Sequence, residues 1–484
     1  YAVTFEVNGE SQYFAVGPSE WSGGFEVPVL FASRSPVEAG AVERWASTWT
    51  GRGSGDFHFA AVRFPQLSKQ WAAYTRYEWV VLSLEQGLPD AAALDAIFAW
   101  VRTGGRLLVI APDPRAALES RPQDTKWLSP DYAVRESQPE RCAAYHCGYG
   151  TITLFSAQGW GFEEMESVDG YQPAALSAVD YWSGRSWTPG SDSHAQSGME
   201  SVTPLLGGFG ELPLRGLMVL LVVFALVMGP VNFWWVKRSR KPMLLLVTLP
   251  GISVVTSICL VLFGVFSQGL DLKVSTRSFT FLDQSAHQAT TAEVRRIFAG
   301  SSPGAGMRPE AGTTVFPDVG SWSSDFRGTN LFTQDLTDGR LLGGDYLPVR
   351  EPVVQLILSD RPTRLRLDVT ERAGEVEVAN AFDGPIERLL LRDSSGAFHQ
   401  LNGALAAGES RRLVGGASVR DEFDWSVVMR DFWDTRGAGA PELPAGAYLA
   451  VLQTADLRDD CGVEVNEVSA QHVVFGVYAE GAER

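Results

Sequence analysis

"NFWWVKRSRKP", from Asn232 to Pro242, divides this chain in two. Four positive charges, Lys237, Arg238, Arg240 and Lys241, fall within five residues, with only Ser239 among them. Before the knot, residues 216–236 run twenty-one positions without a charge; after it, residues 242–266 run twenty-five. At about 1.5 Å rise per residue, either run is long enough as a helix to cross a hydrocarbon core of roughly 30 Å. Uncharged runs of this length are rare in soluble cores, and neither run is N-terminal, as a signal peptide would be. The pattern predicts a two-helix transmembrane hairpin over residues 214–266 with its turn at 237–241. Short loops dense in Lys and Arg stay in the cytoplasm, so both flanking regions are expected on the opposite side. Export of the first region calls for a signal sequence ahead of Tyr1.

The two runs are not uniform grease. Gly229 and Pro230 interrupt the first, Pro250 and Gly251 the second, and Asn232 carries an amide into the bilayer. Kinks leave backbone groups that neighbouring helices satisfy, and an intramembrane amide wants a partner. These five residues are therefore the expected contacts with another, multi-spanning membrane subunit, and lipid would cover the remaining faces. The alternative for Asn232 is that it reaches the cytoplasmic interface.

The formal charge of −17 over 484 residues offers nothing to nucleic acid, and no basic face with interleaved aromatics lies outside the turn. The six histidines are scattered, without His-x-x-x-His or Cys-x-x-Cys spacing. No Gly-x-Ser-x-Gly elbow, Walker A lysine or dinucleotide-binding glycine pattern occurs. No catalytic residue, cofactor or metal ligand is predicted.

Before the hairpin, strand and helix signals alternate. "EVPVLFAS", "FHFAAVRF", "EWVVLSL" and "RLLVIAP" are short apolar runs of buried-strand type. Ser35, Pro36 and Glu38 form a capping box for a helix to about Ser47. A short helix is expected near Gln66–Tyr74. Leu94, Ile97, Phe98 and Val101 at i, i+3, i+4, i+7 predict a helix over Asp90–Thr103, stopped by Gly104 and Gly105. Such alternation means a parallel sheet covered on both faces. "GYGTITLFSA", residues 148–157, alternates like an edge strand and is expected to close the sheet as a hairpin. Cys142 and Cys147, five apart beside it, are a candidate disulfide in an oxidising compartment. Residues 166–213 form a Trp-, Gly- and Ser-rich extension. There Trp182 and Trp187 are a candidate binding surface for sugar or a partner, or else pack the segment onto the sheet.

The run "YEWVVLSLEQGLPDAAALDAIFAWVRTGGRLLVIAP" resembles the central segment of class I glutamine-amidotransferase-like domains, and "CGYGTITLFSA" resembles their closing hairpin. Similar domains occur in bacterial membrane proteins, among them auxiliary subunits of gliding-type ABC transport systems. The resemblance covers about 130 residues and implies a flavodoxin/amidotransferase-like parallel sheet over residues 1–165. It also implies where a nucleophilic cysteine would stand: on a tight elbow just after the strand Leu107–Ala111, over oxyanion-hole amides. This chain has Pro112, Asp113 and Pro114 there, with no thiol, and Pro114 removes a backbone donor. No His-x-Glu pair follows. The reading is of a scaffold without the chemistry, in which Asp113 is a turn residue or the remnant of a relocated site.

After the hairpin the period changes to two. "TRLRLDVTE" sets Leu365, Leu367 and Val369 on one face. "GEVEVANAF", "IERLLLRDSSGAF", "SRRLVGG", "AYLAVLQTA" and "QHVVFGVYA" follow between turns, which predicts a β-sandwich over residues 267–484 beginning at "KVSTRSFTFL". Part of it resembles immunoglobulin-like bacterial modules. "SSPGAGMRPEAGTTVFPDVGSW" has no period. Asp456, Asp459, Asp460, Glu464 and Glu467 lack EF-hand spacing and read as a solvated acidic turn, the alternative being carboxylates that hold Ca²⁺. Cys259 is a filler within the second span, and Cys461 has no evident partner.

The composite expectation is an α/β domain, a transmembrane hairpin and an all-β domain, with both large domains outside the cytoplasm on a bacterial inner membrane. The function expected is binding and scaffolding without catalysis in an envelope membrane complex. An envelope hydrolase at the sheet edge and a glycan-binding or sensing module are the alternatives.

Overall fold

The computed structural model describes residues 2–7, 10–15, 27–36, 57–75, 77, 79–118, 128, 142–158, 214–239, 243, 245–269, 271–301, 306–316, 332–335, 341–344, 347, 349–350, 352–372, 375–415, 443, 445–452, 457 and 459–478. The chain divides into two compact units, Tyr1–Ser197 and Gly198–Arg484. The predicted helix beyond Pro36, and Trp182 and Trp187, lie outside the described residues.

In the first unit, strands β1 (Ala2–Val7) and β2 (Glu10–Ala15) form an antiparallel pair. The main sheet has six strands: β3 (Val27–Ser33), β4 (Phe57–Arg63), β5 (Trp79–Ser83), β6 (Arg106–Ala111), β7 (Cys142–Cys147) and β8 (Gly150–Ser156), ordered β4-β3-β5-β6-β8-β7. Every pairing is parallel except β7 with β8. The parallel strands thus run second-first-third-fourth-fifth, a common order of open α/β sheets. β5 and β6 are buried at every position, as continuous apolar runs in a parallel sheet require. The short helix expected near Gln66 is two 3₁₀ turns, Phe64–Gln66 and Trp71–Tyr74.

Helix α1 (Ala91–Arg102) buries Leu94, Ile97, Phe98 and Val101, the predicted stripe, together with Trp100. Its end is fixed by glycine: Gly104 has φ 119°, and the Gly105 N–H returns to the Trp100 carbonyl. The freed carbonyls of Arg102 and Gly105 then accept the N–H groups of Tyr149 and Thr151, which docks the helix end on the start of β8.

Two expectations are corrected here. β8 is an inner strand, parallel to β6 on one side, and β7 is the edge. Its alternation comes from Thr151 and Thr153, which are buried as deeply as Ile152 and Leu154. The Cys142–Cys147 bridge is excluded by the same hairpin. The two cysteines end one strand, Cys142 opposite Phe155 and Cys147 opposite Gly150. Five strand positions set their Cα atoms about 16 Å apart, whereas a disulfide needs Cα atoms within about 7 Å. Cys147 is buried and outside any disulfide.

The second unit opens with two helices long and apolar enough to cross a membrane, each with mean hydropathy 2.3. Helix α3 runs from Leu214 to Ser239 in three parts: α-helical Leu214–Leu226, π-helical Val227–Val231 and α-helical Asn232–Ser239. The π turn holds Gly229 and Pro230, where the missing N–H and the ring exclude a regular i→i−4 bond. Helix α4 spans Leu245–Gln268 and contains Pro250.

Strand β9 (Leu272–Asp283) leaves α4 almost at once and pairs over its whole length with β10 (Gln288–Ala299). β11 (Thr313–Phe316) and β14 (Pro352–Pro362) extend this sheet on one side, and β12 (Phe332–Asp335) pairs with β13 (Leu341–Gly344) apart from it. The aperiodic run thus contributes the edge strand β11. β17 (Ile386–Arg392), β18 (Phe398–Gln400), β20 (Val414–Gly415), β21 (Ala447–Leu452) and β22 (Asn466–Val477) complete nine strands, in the order β11-β14-β10-β9-β22-β21-β17-β18-β20. A three-stranded sheet of β15 (Leu367–Arg372), β16 (Glu375–Asn380) and β19 (Ser410–Arg412) packs on it through Leu367, Val376 and Val378 against Leu389, Leu391 and Val474. Leu365 and Val369 flank that core as the alternation predicts. The layered β arrangement agrees with expectation in outline but is mixed, because β22 returns beside β9 in parallel.

Candidate functional site

Open α/β sheets bind ligands beyond the carboxyl ends of their strands, where the strand order reverses. Here that point lies between β3 and β5, and its polar groups are spent on one another. Arg34 donates to the Gln86 carbonyl at 3.0 Å, and the Ser35 hydroxyl donates to the Gln86 side-chain oxygen at 2.5 Å. The Ser33 hydroxyl donates to the Ser35 carbonyl. The next strand end, β6, leads into Pro112, Asp113 and helix α2 (Pro114–Leu118). Asp113 is its N-cap: a carboxylate oxygen accepts the Ala116 N–H at 2.9 Å, with Pro114 at the first helical position. Ser156, at the end of β8, donates to the Pro112 carbonyl at 2.7 Å. Asp113 therefore has a structural occupation at the elbow position. Cys147 ends β7, opposite Gly150 at the start of β8, and so lies at the other end of the strands.

The second unit holds a His–Asp–Ser constellation that the sequence reading missed. His399 Nε2 lies 2.7 Å from an Asp393 carboxylate oxygen, and the Ser395 hydroxyl donates to the other at 2.7 Å. Both the histidine and the aspartate are buried. In a nucleophilic triad the hydroxyl must reach the imidazole, with the carboxylate behind it. Here the serine bonds the carboxylate, and His399 Nδ1 faces Gly415 so closely that a Cβ there would lie 2.9 Å away. Burial works to raise the Asp393 pKa. Hydrogen bonds from Ser395, His399 and the Ala397 N–H outweigh it and hold the carboxyl below its ordinary value. The group locks the β17–β18 turn.

A second buried cluster gathers on β10. Arg295 donates to Glu293 at 2.7 Å and to the Asp459 carbonyl at 2.8 Å. Asp459, from the acidic turn, accepts the N–H groups of Cys461 and Glu310, both at 2.7 Å. Its carboxylate oxygens thus pin two loops over the sheet. Glu293 and Arg295 are two apart in a strand and share a face. That spacing was visible, but the partner loop 164 residues away was not. Among the described residues no group of three or more His, Cys, Asp or Glu side chains is placed to hold a metal.

The remaining concentration of unusual features is the helix pair. Gly229, Pro230, Pro250 and Gly251 are exposed on it. Asn232 is not: it is 4 % exposed and lines a groove of about 540 Å³ between α3 and α4, along with Trp235, Thr248 and Val255. Neither Asn232 Nδ2 nor Thr248 Oγ1 has a hydrogen-bond partner among the described residues. Ser257 back-bonds to the Ser253 carbonyl at 3.0 Å and needs none elsewhere. Lys237 and Arg238 are exposed at the turn, with the Arg238 guanidinium 5.6 Å above the Trp234 ring. Arg240 and Lys241 lie outside the described residues.

No protein-family model matches the chain, and no curated protein does. Among solved structures, an exo-β-1,4-mannosidase from Opitutaceae bacterium strain TAV5 is similar at 13 % identity and TM-score 0.20, over 32 % of this chain and 35 % of the enzyme. The chain thus spans about a third of that enzyme's length. The yeast δ-COP-I μ-homology domain, solved with a Dsl1 WxWxV peptide, is similar at 8 % identity and TM-score 0.19, over 43 % of this chain and 96 % of that domain. Likeness at this level carries no argument about function.

Proposed function

We propose that the chain is a non-catalytic, membrane-anchored binding subunit of a bacterial envelope complex, tethered in the inner membrane by its helix pair. In this reading the α/β and β-rich parts both lie outside the cytoplasm. The first is a flavodoxin/amidotransferase-like scaffold without its nucleophile, and the second an immunoglobulin-like sandwich. The observation that carries the reading is the exposure of the two helices. Only 6 % and 0 % of their apolar windows is buried within the chain, so their surfaces await lipid or other helices. Gly229 and Gly251 have nothing within 4 Å of where a Cβ would stand, which leaves two places for close helix approach. The spent polar groups at the sheet edge support the absence of chemistry there.

The test is affinity purification of the full chain in mild detergent, with identification of co-purifying subunits. A multi-spanning partner should be recovered, and Gly229→Leu with Gly251→Leu should reduce its recovery several-fold without loss of insertion. Equal recovery when α3 and α4 are replaced by an unrelated two-span anchor would move the binding to the exported parts. Hydrolytic turnover abolished by Asp113→Ala would overturn the non-catalytic reading.

A further inference from the structure

The groove between α3 and α4 has polar atoms at one end and apolar walls along the rest. The helices approach closely at the far end, where a Cβ on Gly216 would lie 2.6 Å from the Phe263 ring. Between there and Trp235 the walls are Leu220, Val223, Phe224, Val227, Ile252 and Val255. From Leu220 to Trp235 the groove follows α3 for about 22 Å, and from Thr248 to Cys259 it follows α4 for about 16 Å. One leaflet of hydrocarbon is about 15 Å deep, half the roughly 30 Å core. The groove therefore matches an acyl chain entering from the interface.

Its depth is fixed by its neighbours. Trp234 and Trp235 belong to the aromatic belt that sits at headgroup level, and Lys237 and Arg238 follow immediately. Asn232 is about 7 Å along the helix from Lys237, where the ester groups of a phospholipid meet its chains. A buried amide without a partner in a bilayer costs free energy that water cannot relieve. An ester carbonyl at that level would accept from Asn232 Nδ2, and a second ester would accept from the Thr248 hydroxyl. The wall composition separates lipid from a third helix. Helix-packing surfaces in membranes are rich in small residues, whereas these walls are mainly branched and aromatic, with Gly251 and Cys259 the small unbranched residues among them. Gly229, Pro230 and Pro250 do not line the groove, and Gly251 is the one glycine among the described residues that does.

We propose that this groove binds one acyl chain of an anionic phospholipid, with its ester groups on Asn232 and Thr248 and its headgroup on the basic turn at Lys237 and Arg238. Juxtamembrane basic residues attract acidic lipid at about 1 kcal/mol each. The turn thus supplies headgroup preference and the groove supplies residence.

The experiment is native mass spectrometry of the purified full chain after incubation with phosphatidylglycerol and phosphatidylcholine of identical chains. One phosphatidylglycerol per chain should be retained, favoured about tenfold over phosphatidylcholine. Val255→Trp, which fills the groove, should abolish retention, while Leu262→Trp, outside the lining, should not. Asn232→Leu keeps the branched outline and the number of heavy atoms and guards against misfolding of the tryptophan variant; it should weaken retention about fivefold. Lys237→Gln with Arg238→Gln should remove the preference but not the residence. Retention unchanged by both Val255→Trp and Asn232→Leu would overturn the proposal. So would disulfide-linked dimers of Val255→Cys made in a Cys259→Ala background, since a second copy would then occupy the groove.

Discussion

At the scale of single residues, the chain's conspicuous reactive groups are occupied. Cys461 lies beside Arg295 and is fully buried, and burial pushes its thiol up to about 12 despite the attraction of that guanidinium. It should resist alkylation in the folded chain at pH 8 and react on unfolding, as peptide mapping after iodoacetamide would read. The same shift sets a pH dependence. A thiol whose folded pKa exceeds its unfolded value stabilises the fold fully below the unfolded pKa. That contribution is lost as pH rises from about 9 towards 12. Tyr448, also raised by burial, adds to the loss in the same direction. Thermal stability in detergent should therefore fall above about pH 9, and a flat profile to pH 11 would contradict the assignment. Arg295 is the more demanding test. Removing one partner of a buried ion pair costs about 3–5 kcal/mol, so Arg295→Leu should raise Cys461 alkylation about a hundredfold or more through local opening. Asp113→Ala, by contrast, should loosen only the first turn of α2, by about 1 kcal/mol, the usual worth of an N-cap.

At the scale of elements, the junction of α1 with β8 carries a sharp prediction. A Cβ at Gly150 would sit 2.1 Å from the Val101 carbonyl oxygen and 2.2 Å from that of Gly105, both backbone atoms that cannot swing aside. Gly150→Ala should therefore cost upwards of about 3 kcal/mol, the upper range for overpacking. Hydrogen exchange of Thr151 and Tyr149, whose N–H groups bond α1 and its cap, should lose protection first. The sequence made α1, β5 and β6 readable because local signals agree there: continuous apolar strands, a helical stripe and a glycine pair at the stop. It misled at β8, where buried threonines imitate an exposed face. It misled again at Cys142 and Cys147, where nearness in sequence is undone by an extended strand. The groups that lock the second unit were legible only as isolated polar residues in strands. Ser278 meets His472 and Arg295 meets Asp459 only once strands far apart in sequence are paired. Of the expected membrane contacts, four keep exposed positions, while Asn232, directly after the π turn, is buried between the helices.

At the scale of the whole molecule, orientation is the property from which the others follow. Two spans returning to the same side leave residues before α3 and after α4 in one compartment, whichever it is. The turn decides which, because short loops are oriented by Lys and Arg, with Asp and Glu contributing little. The 237–241 turn holds four such residues, whereas the segment flanking the far ends, from Leu205 to Leu214 and from Gln268 to Leu272, holds none. Just beyond them, Arg215, Lys273 and Arg277 weigh on the other side. Four cations packed into the short turn against three spread over the far ends is the basis on which we propose the turn inside and everything large outside. A cysteine introduced as Ser239→Cys in intact cells should resist a membrane-impermeant maleimide and react after permeabilisation. A cysteine at Ser394, exposed on the β17–β18 turn, should label in both states. The native thiols Cys147 and Cys461 are buried, and the assay is run with Cys142 and the exposed Cys259 replaced by alanine. Reversal of the two new sites would place both units in the cytoplasm, and the envelope reading would fall with it. The helix pair and its groove would stand, since they depend on the bilayer and not on its sidedness.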